Sequence, residues 1–212
     1  MAAATDIQPG CVTFWDVSWE FYEQFLEEFK DRYVRHTYDD GVLEIMSPIG
    51  FEHERPKKLI SWLIQALVEE LEIPILCVGS MTLKNQRKAK GIEPDECFYV
   101  ARESEMRRKP DYDPEHDPPP DLAIEIDWTS SSVPRMPVYA RLGVPEVWRY
   151  AEEQLTVHCL NATGEYQESP QSLAFPGLPL DEFRAFIDRD PNVDETTWIR
   201  RFREWVRANL IK

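Results

Sequence analysis

The sequence has no long apolar run. Its longest, Ile73–Val78, is far too short to span a bilayer. The opening residues, Met1-Ala2-Ala3-Ala4-Thr5-Asp6, have neither the basic start nor the apolar stretch of a signal peptide. Four cysteines, Cys11, Cys77, Cys97 and Cys159, form no C-x-x-C pair. Their spacing suggests neither a zinc site nor a disulfide framework, and fits reduced core residues of a cytoplasmic protein. Internal repeats and low-complexity tracts are absent. Positive charge is scarce as well: 24 Lys and Arg stand against 39 Asp and Glu, giving a net charge of −15. That balance argues against a binder of nucleic acid through a broadly basic surface, because affinity for phosphates comes largely from Lys and Arg.

What is present is a chain of 212 residues, enough for one domain with a sizeable core. Two short strings organise it. Ile92-Glu93-Pro94-Asp95 leads into the strand-like run Glu96–Val100, and Asp121-Leu122-Ala123-Ile124-Glu125-Ile126-Asp127 alternates apolar and other residues at the period of a strand. Glu125 and Asp127 therefore share a face, about 7 Å apart along the strand. Carboxylates are expensive to bury alone, and a hard divalent cation is one common way to neutralise them. Solvation on an open sheet face is the other. The basic residues Lys84, Arg87, Lys88 and Lys90 cluster just before Asp95, where they read either as a solvated turn or as a phosphate-facing patch.

In chain order, residues 1–14 read as a tail. Ser18 caps a helix to about Arg32, whose aromatic face is core packing. Arg35–Tyr38 and Val42–Met46 form a hairpin about Asp39-Asp40-Gly41. Glu44 lies in its second strand, where an exposed position is the ordinary outcome. Ser47-Pro48-Ile49-Gly50 breaks the chain before a long helix, about Glu52–Leu71, in which Pro56 belongs in the first turn. His53 starts that helix and reads first as a surface or capping residue. Ile75–Val78 and Met81–Lys84 are strands joined by Gly79-Ser80. Residues 101–120 form a charged, proline-rich loop suited to a lid or an arm. Thr129–Ser132 supply caps for a helix of about Val133–Leu142, ended by Gly143. Strands at Glu146–Tyr150, Gln154–Leu160 and near Tyr166 follow, then helices near Leu180–Asp188 and Thr196–Leu210.

Several strings together carry a resemblance. Pro94-Asp95 followed by a Glu-x-Asp strand resembles the PD-(D/E)XK nuclease superfamily. Asp40-Gly41-Val42-Leu43-Glu44-Ile45-Met46-Ser47-Pro48, His53, Pro118 to Ile126, Thr129 to Ser132, and Tyr139-Ala140-Arg141-Leu142-Gly143-Val144-Pro145-Glu146-Val147-Trp148 resemble the Uma-type restriction endonuclease family. The resemblance implies an α/β domain over residues 15–179, with a restriction-endonuclease-like central mixed sheet flanked by helices. A C-terminal helical extension, 180–212, would pack on it. It implies a DNA endonuclease dependent on Mg²⁺ or Mn²⁺, with Asp95 and Glu125 as metal ligands, and a homodimer to cut both strands. The superfamily's Lys two residues after the Glu is here Asp127, a candidate third ligand that cannot supply positive charge. The family's basic residue, four before the Tyr of Tyr-Ala-x-x-Gly, corresponds to Arg135. Glu44 and His53 would be auxiliary, and Lys84, Arg87, Lys88 and Lys90 would face DNA. The rival expectation is a catalytically silent nuclease fold acting as a binding or regulatory module, which the acidic charge and Asp127 favour. Hydrolysis of some other phosphoester is a third.

Overall fold

The strand carrying Glu125 sits in the middle of a mixed sheet. The computed structural model describes residues 5–8, 10–31, 34–46, 50–127, 133–188 and 190–211. The breaks expected at Ser47–Ile49 and the caps at Thr129–Ser132 lie outside them. β8 (Glu96–Tyr99) pairs antiparallel with β9 (Leu122–Asp127), and β10 (Glu146–Ala151) pairs parallel with β9 on its other side. β5 (Leu76–Gly79), β11 (Gln154–Leu160) and β12 (Tyr166–Glu168) complete the order β12-β11-β10-β9-β8-β5.

The alternation in β9 sorts its residues onto two faces. Leu122, Ile124 and Ile126 join a core with Leu63, Ile64 and Leu67 of α2 (Phe51–Glu70). Ala123 joins another with Val138, Tyr139 and Leu142 of α4 (Arg135–Leu142). Glu125 therefore lies under α4. The α2 stripe outweighs a local fault: Pro56 sits in the second turn rather than the first. Its missing bond costs about 3 kcal/mol, whereas each fully buried Leu or Ile contributes about 1.5–3 kcal/mol. α5 (Leu180–Ile187) and α6 (Glu195–Asn209) close the same core with Phe183, Trp198, Phe202 and Val206.

A second sheet, which the sequence reading did not separate, is built from the N-terminal half. β1 (Thr5–Gln8), β2 (Cys11–Phe14), β3 (Arg35–Asp39), β4 (Val42–Met46), β6 (Leu83–Asn85) and β7 (Lys90–Ile92) pair antiparallel in the order β1-β2-β4-β3-β7-β6. Residues 5–14 are thus no tail. Gly10, at φ 79°, turns a hairpin whose inner residues Cys11 and Thr13 are buried. The Asp40-Gly41 turn forms as expected, with φ 48° and 91°. Gly79-Ser80 does not join a hairpin: β5 and β6 belong to different sheets, so the chain crosses between them there. β7, hidden in the basic stretch, needs Gly91, because a Cβ there would stand 2.2 Å from the Tyr22 hydroxyl. Tyr22 belongs to α1 (Trp19–Phe29), which Ser18 caps and which packs its aromatic face on this sheet.

Residues 101–120 are tied down. Asp121 accepts from the N–H groups of Val100 and Arg102, the Tyr99 hydroxyl donates to the Pro118 carbonyl, and Lys109 pairs with Asp117. The stretch includes one helical turn, α3 (Glu103–Met106), whose Met106 is buried.

Candidate active site

Asp95 stands directly before β8. Its N–H donates to the Ile124 carbonyl at 3.1 Å, and its Oδ2 accepts from the Ile126 N–H at 2.7 Å. These bonds clamp Asp95 against the strand that carries Glu125. Both carboxylates then meet one nitrogen: Arg35 Nη2 donates to Asp95 Oδ2 at 2.6 Å and to Glu125 Oε1 at 2.7 Å. The two oxygens are no farther apart than the sum of those bonds, and two oxygens on one cation stand at most about 4 Å apart for Mg²⁺ and about 5 Å for Ca²⁺.

The cluster is dry and rich in cations. Asp95 is 0 % and Arg35 4 % exposed. Arg35 opens β3, so it reaches the carboxylates from the other sheet. His53, in the first turn of α2, is buried too. Its Nε2 lies 3.2 Å from Arg35 Nη1 and 3.3 Å from Asp95 Oδ1. Arg135 projects from the first position of α4 to the site. Its Nε lies 2.5 Å from Glu125 Oε1, and its Nη2 donates to Glu125 Oε2 at 3.1 Å and to the Glu93 carbonyl at 2.6 Å. Nη1 donates to Thr37 Oγ1 at 2.6 Å. One turn on, the Tyr139 hydroxyl donates to Glu125 Oε2 at 2.7 Å.

The electrostatics follow from this wiring. Burial pushes the Asp95 carboxyl up, but His53, the Arg35 charge and the Ile126 N–H outweigh it and hold the group below its ordinary value. Burial would lower the Arg135 guanidinium, but Glu125 and its neighbours raise it, so it stays charged. Burial, then the Glu125 charge, pushes the Tyr139 phenol well up, so it remains a donor.

The other sequence candidates fall in different places. Glu44 is fully buried rather than exposed. It pairs across strands with Thr37, which Arg135 touches, and accepts from the Val133 N–H at 3.3 Å. His53 is likewise no surface residue. Asp127 is not brought to the meeting point of Asp95 and Glu125. Its Oδ2 pairs instead with Arg149 Nη2 at 2.5 Å, because Arg149 on β10 stands level with Glu125 and reaches along the same face. The basic cluster is largely neutralised: Lys84 bonds Glu23 at 2.6 Å, Lys90 pairs with Asp39, and Arg87 lies 3.9 Å from Glu115. Arg87 and Lys88 are exposed.

A family model, Uma2, described as "Putative restriction endonuclease", matches residues 19–186. The chain belongs to the Uma2 family. Among solved structures, it is similar to a "putative nuclease belonging to DUF820" from Anabaena variabilis, at 16% identity over 85% of this chain and 98% of that one, with a TM-score of 0.48. No curated protein matches it.

In this Uma2 chain the donor set fits a hard divalent cation. Mg²⁺ takes one or two carboxylates and keeps several waters. Asp95 Oδ1 is buried and accepts no hydrogen bond among the described residues, an acceptor that an ion would satisfy. The expected set of three carboxylates is not assembled: among the described residues, no group of three or more His, Cys, Asp or Glu is placed to hold a metal. A pocket of about 460 Å³ opens beside Glu125, lined also by Asp127, Arg135, Arg149 and His158. A wider cavity of about 610 Å³, between the start of α2 and the β10–β11 turn, lacks both Asp95 and Glu125. No described helix is long and apolar enough to cross a membrane.

Arg35 and Tyr139 complete the cluster, yet sequence reasoning assigned neither a role. Nothing in the local pattern distinguishes Arg35 from any other charge opening a strand, since its partners lie 60 and 90 residues away. Tyr139 stood only as a marker for Arg135, although four-residue spacing on a helix places it on the same face. Lys57, one turn beyond His53, is buried as well, with Nζ 3.7 Å from Glu54 Oε2.

Proposed function

We propose that this Uma2 protein is a metal-dependent endonuclease that hydrolyses phosphodiester bonds in DNA. The observation that carries the reading is the convergence of Asp95, just before β8, and Glu125, on β9, on one cationic nitrogen, Arg35 Nη2. Asp95 and Glu125 would hold Mg²⁺ or Mn²⁺, which when bound supplies a Lewis acid for the phosphoryl oxygen and an acidified water. Arg135 stays charged and offsets negative charge developing on phosphate, and as a permanent cation it is no base. Tyr139 and Arg135 Nη2 hold Glu125 Oε2, while Oε1, with Arg135 Nε 2.5 Å away, is the oxygen that shares Arg35 Nη2 with Asp95. His53 Nε2, which accepts from Arg35, lies 3.3 Å from Asp95 Oδ1. Arg87 and Lys88, the exposed members of the basic group, are candidates for phosphate contacts. Two copies of the chain would serve the two strands of a duplex.

One observation favours the silent-module reading: Arg35 and Arg135 already balance both carboxylates. Plasmid nicking separates the two. The nuclease reading expects cutting with Mg²⁺ or Mn²⁺, none with EDTA, and loss of cutting in Asp95→Asn, because removing a metal ligand weakens metal binding and catalysis most. Cutting should be slow, since no Lys stands at position 127. The silent module expects no cutting with any divalent ion. Wild-type rates from Asp95→Asn would defeat the nuclease assignment.

A further inference from the structure

We propose that Arg35 and a divalent cation take the same place between Asp95 and Glu125 in turn, so that the guanidinium holds the pair until an ion replaces it. This rests on the reading of the two carboxylates as cation ligands. It makes Arg35 a positioning residue whose side chain sets how readily the site takes metal.

The first support is geometric. A single nitrogen, Arg35 Nη2, sits at bonding distance from one oxygen of each carboxylate. A metal held by those same two oxygens would need the volume that Arg35 Nη2 fills, so the two would exclude each other there. The second is charge. With Arg35 in place, two guanidiniums balance two carboxylates in a dry site, and a divalent ion added on top would leave two uncompensated positive charges. Exchange leaves one, which suits a site for an anionic phosphate. The third is the quality of the fit. Arg35 Nε and Asp95 Oδ1 are both buried and make no hydrogen bond among the described residues. The guanidinium is therefore an incomplete partner for the carboxylates, and a hydrated ion would satisfy Asp95 Oδ1. The fourth is topology. Arg35 comes from β3 of the other sheet, whereas Asp95 and Glu125 are clamped together on β8 and β9 by the Asp95 N–H and the Ile126 N–H. The side chain can leave without moving either carboxylate's backbone, and Arg135 and Tyr139 keep hold of Glu125.

The test measures Mn²⁺ binding by the loss of its free electron-paramagnetic-resonance signal, alongside thermal melting, in wild type, Arg35→Ala and Arg35→Lys. Arg35→Ala should bind Mn²⁺ at least tenfold more tightly than wild type, melt lower without the ion, and gain more from Mn²⁺ than wild type does. Guanidinium chloride at low millimolar concentration should weaken Mn²⁺ binding to Arg35→Ala and leave wild type unchanged. Arg35→Lys, which keeps the charge but cannot reach both carboxylates as well, should fall between. If Arg35→Ala is unfolded without metal, refolding on Mn²⁺ addition gives the same answer. Should it stay unfolded at every Mn²⁺ concentration while Arg35→Lys binds like wild type, the exchange is wrong. Equal Mn²⁺ affinity in wild type and Arg35→Ala overturns the exchange and leaves the metal reading standing. Absence of Mn²⁺ binding in all three overturns the metal reading and the exchange with it.

Discussion

Glu125 and Glu146 are buried glutamates on neighbouring parallel strands, and they are held in opposite ways. Glu146 is met by neutral donors: the Trp148 indole N–H at 2.5 Å and the N–H groups of Leu173 and Ala174, each at 2.7 Å. Two of these are backbone, so the carboxylate pins residues 173–174 to the sheet. Glu125 is met by two guanidiniums and a phenol, and a second carboxylate faces it across Arg35. Burial alone does not distinguish a working carboxylate from a fastening one. The partners differ: neutral fixed donors make a closed joint at Glu146, whereas side-chain cations beside a second carboxylate surround Glu125, where the proposed exchange of one cation for another would take place.

The same substitution at both strands should break that comparison apart. Glu125→Gln leaves two buried guanidiniums facing one carboxylate, and breaking a buried pair costs about 3–5 kcal/mol. Urea denaturation should show that loss, together with loss of any metal-dependent cutting. Glu146→Gln keeps one acceptor oxygen, able to serve Leu173 and Ala174, but turns its NH2 on the Trp148 indole N–H, and it strands no charge. It should cost about 1–3 kcal/mol, as for a buried donor left unsatisfied, and leave cutting as in wild type.

Acid should give a graded form of the first effect. Asp95 is raised by burial but pulled lower by His53 and Arg35, so its folded value lies below that of the unfolded chain. Its stabilisation is present above the unfolded value of about 3.9 and is lost as pH falls through the folded one. Melting midpoints of wild type and Asp95→Asn should differ at neutral pH, begin to converge as pH falls below about 4, and meet only below the folded value. The smallest effect belongs to the surface. Arg207 bonds Glu70 twice where α6 meets α2, yet its side chain is 59% exposed. Arg207→Ala should leave the melting midpoint in place at moderate salt, because solvent already screens the pair.

Much of the sheet that carries Glu125 was legible because its information is local. The period of Leu122 to Asp127 fixed which residues share a face, and Gly143 marked the end of α4. Asp95, Glu125 and Arg135 were found through string resemblance, and the structure brings these three together. Glu44 and His53 read as surface residues because a lone Glu or His usually is one, and the groups that meet them, Val133 for Glu44 and Arg35 and Asp95 for His53, come from distant segments. β7 was missed because Lys90-Gly91-Ile92 has no strand pattern of its own: Gly91 is there for the Tyr22 hydroxyl, a contact between distant segments. Asp127 was read from its own strand, and its partner Arg149 stands on the next. Arg35 lay beyond any local rule for the same reason.

That separation also bears on the order of folding. Arg35 and Glu125 are 90 residues apart, and Arg135 and Thr37 are 98 apart. Closing such loops costs chain entropy before the contact returns anything, so the site belongs among the last contacts to form. Each sheet can form its own strand pairs while these charges remain hydrated, although β6 and β7 of one lie in the chain between β5 and β8 of the other. Substitutions within the cluster should therefore speed unfolding far more than they slow refolding.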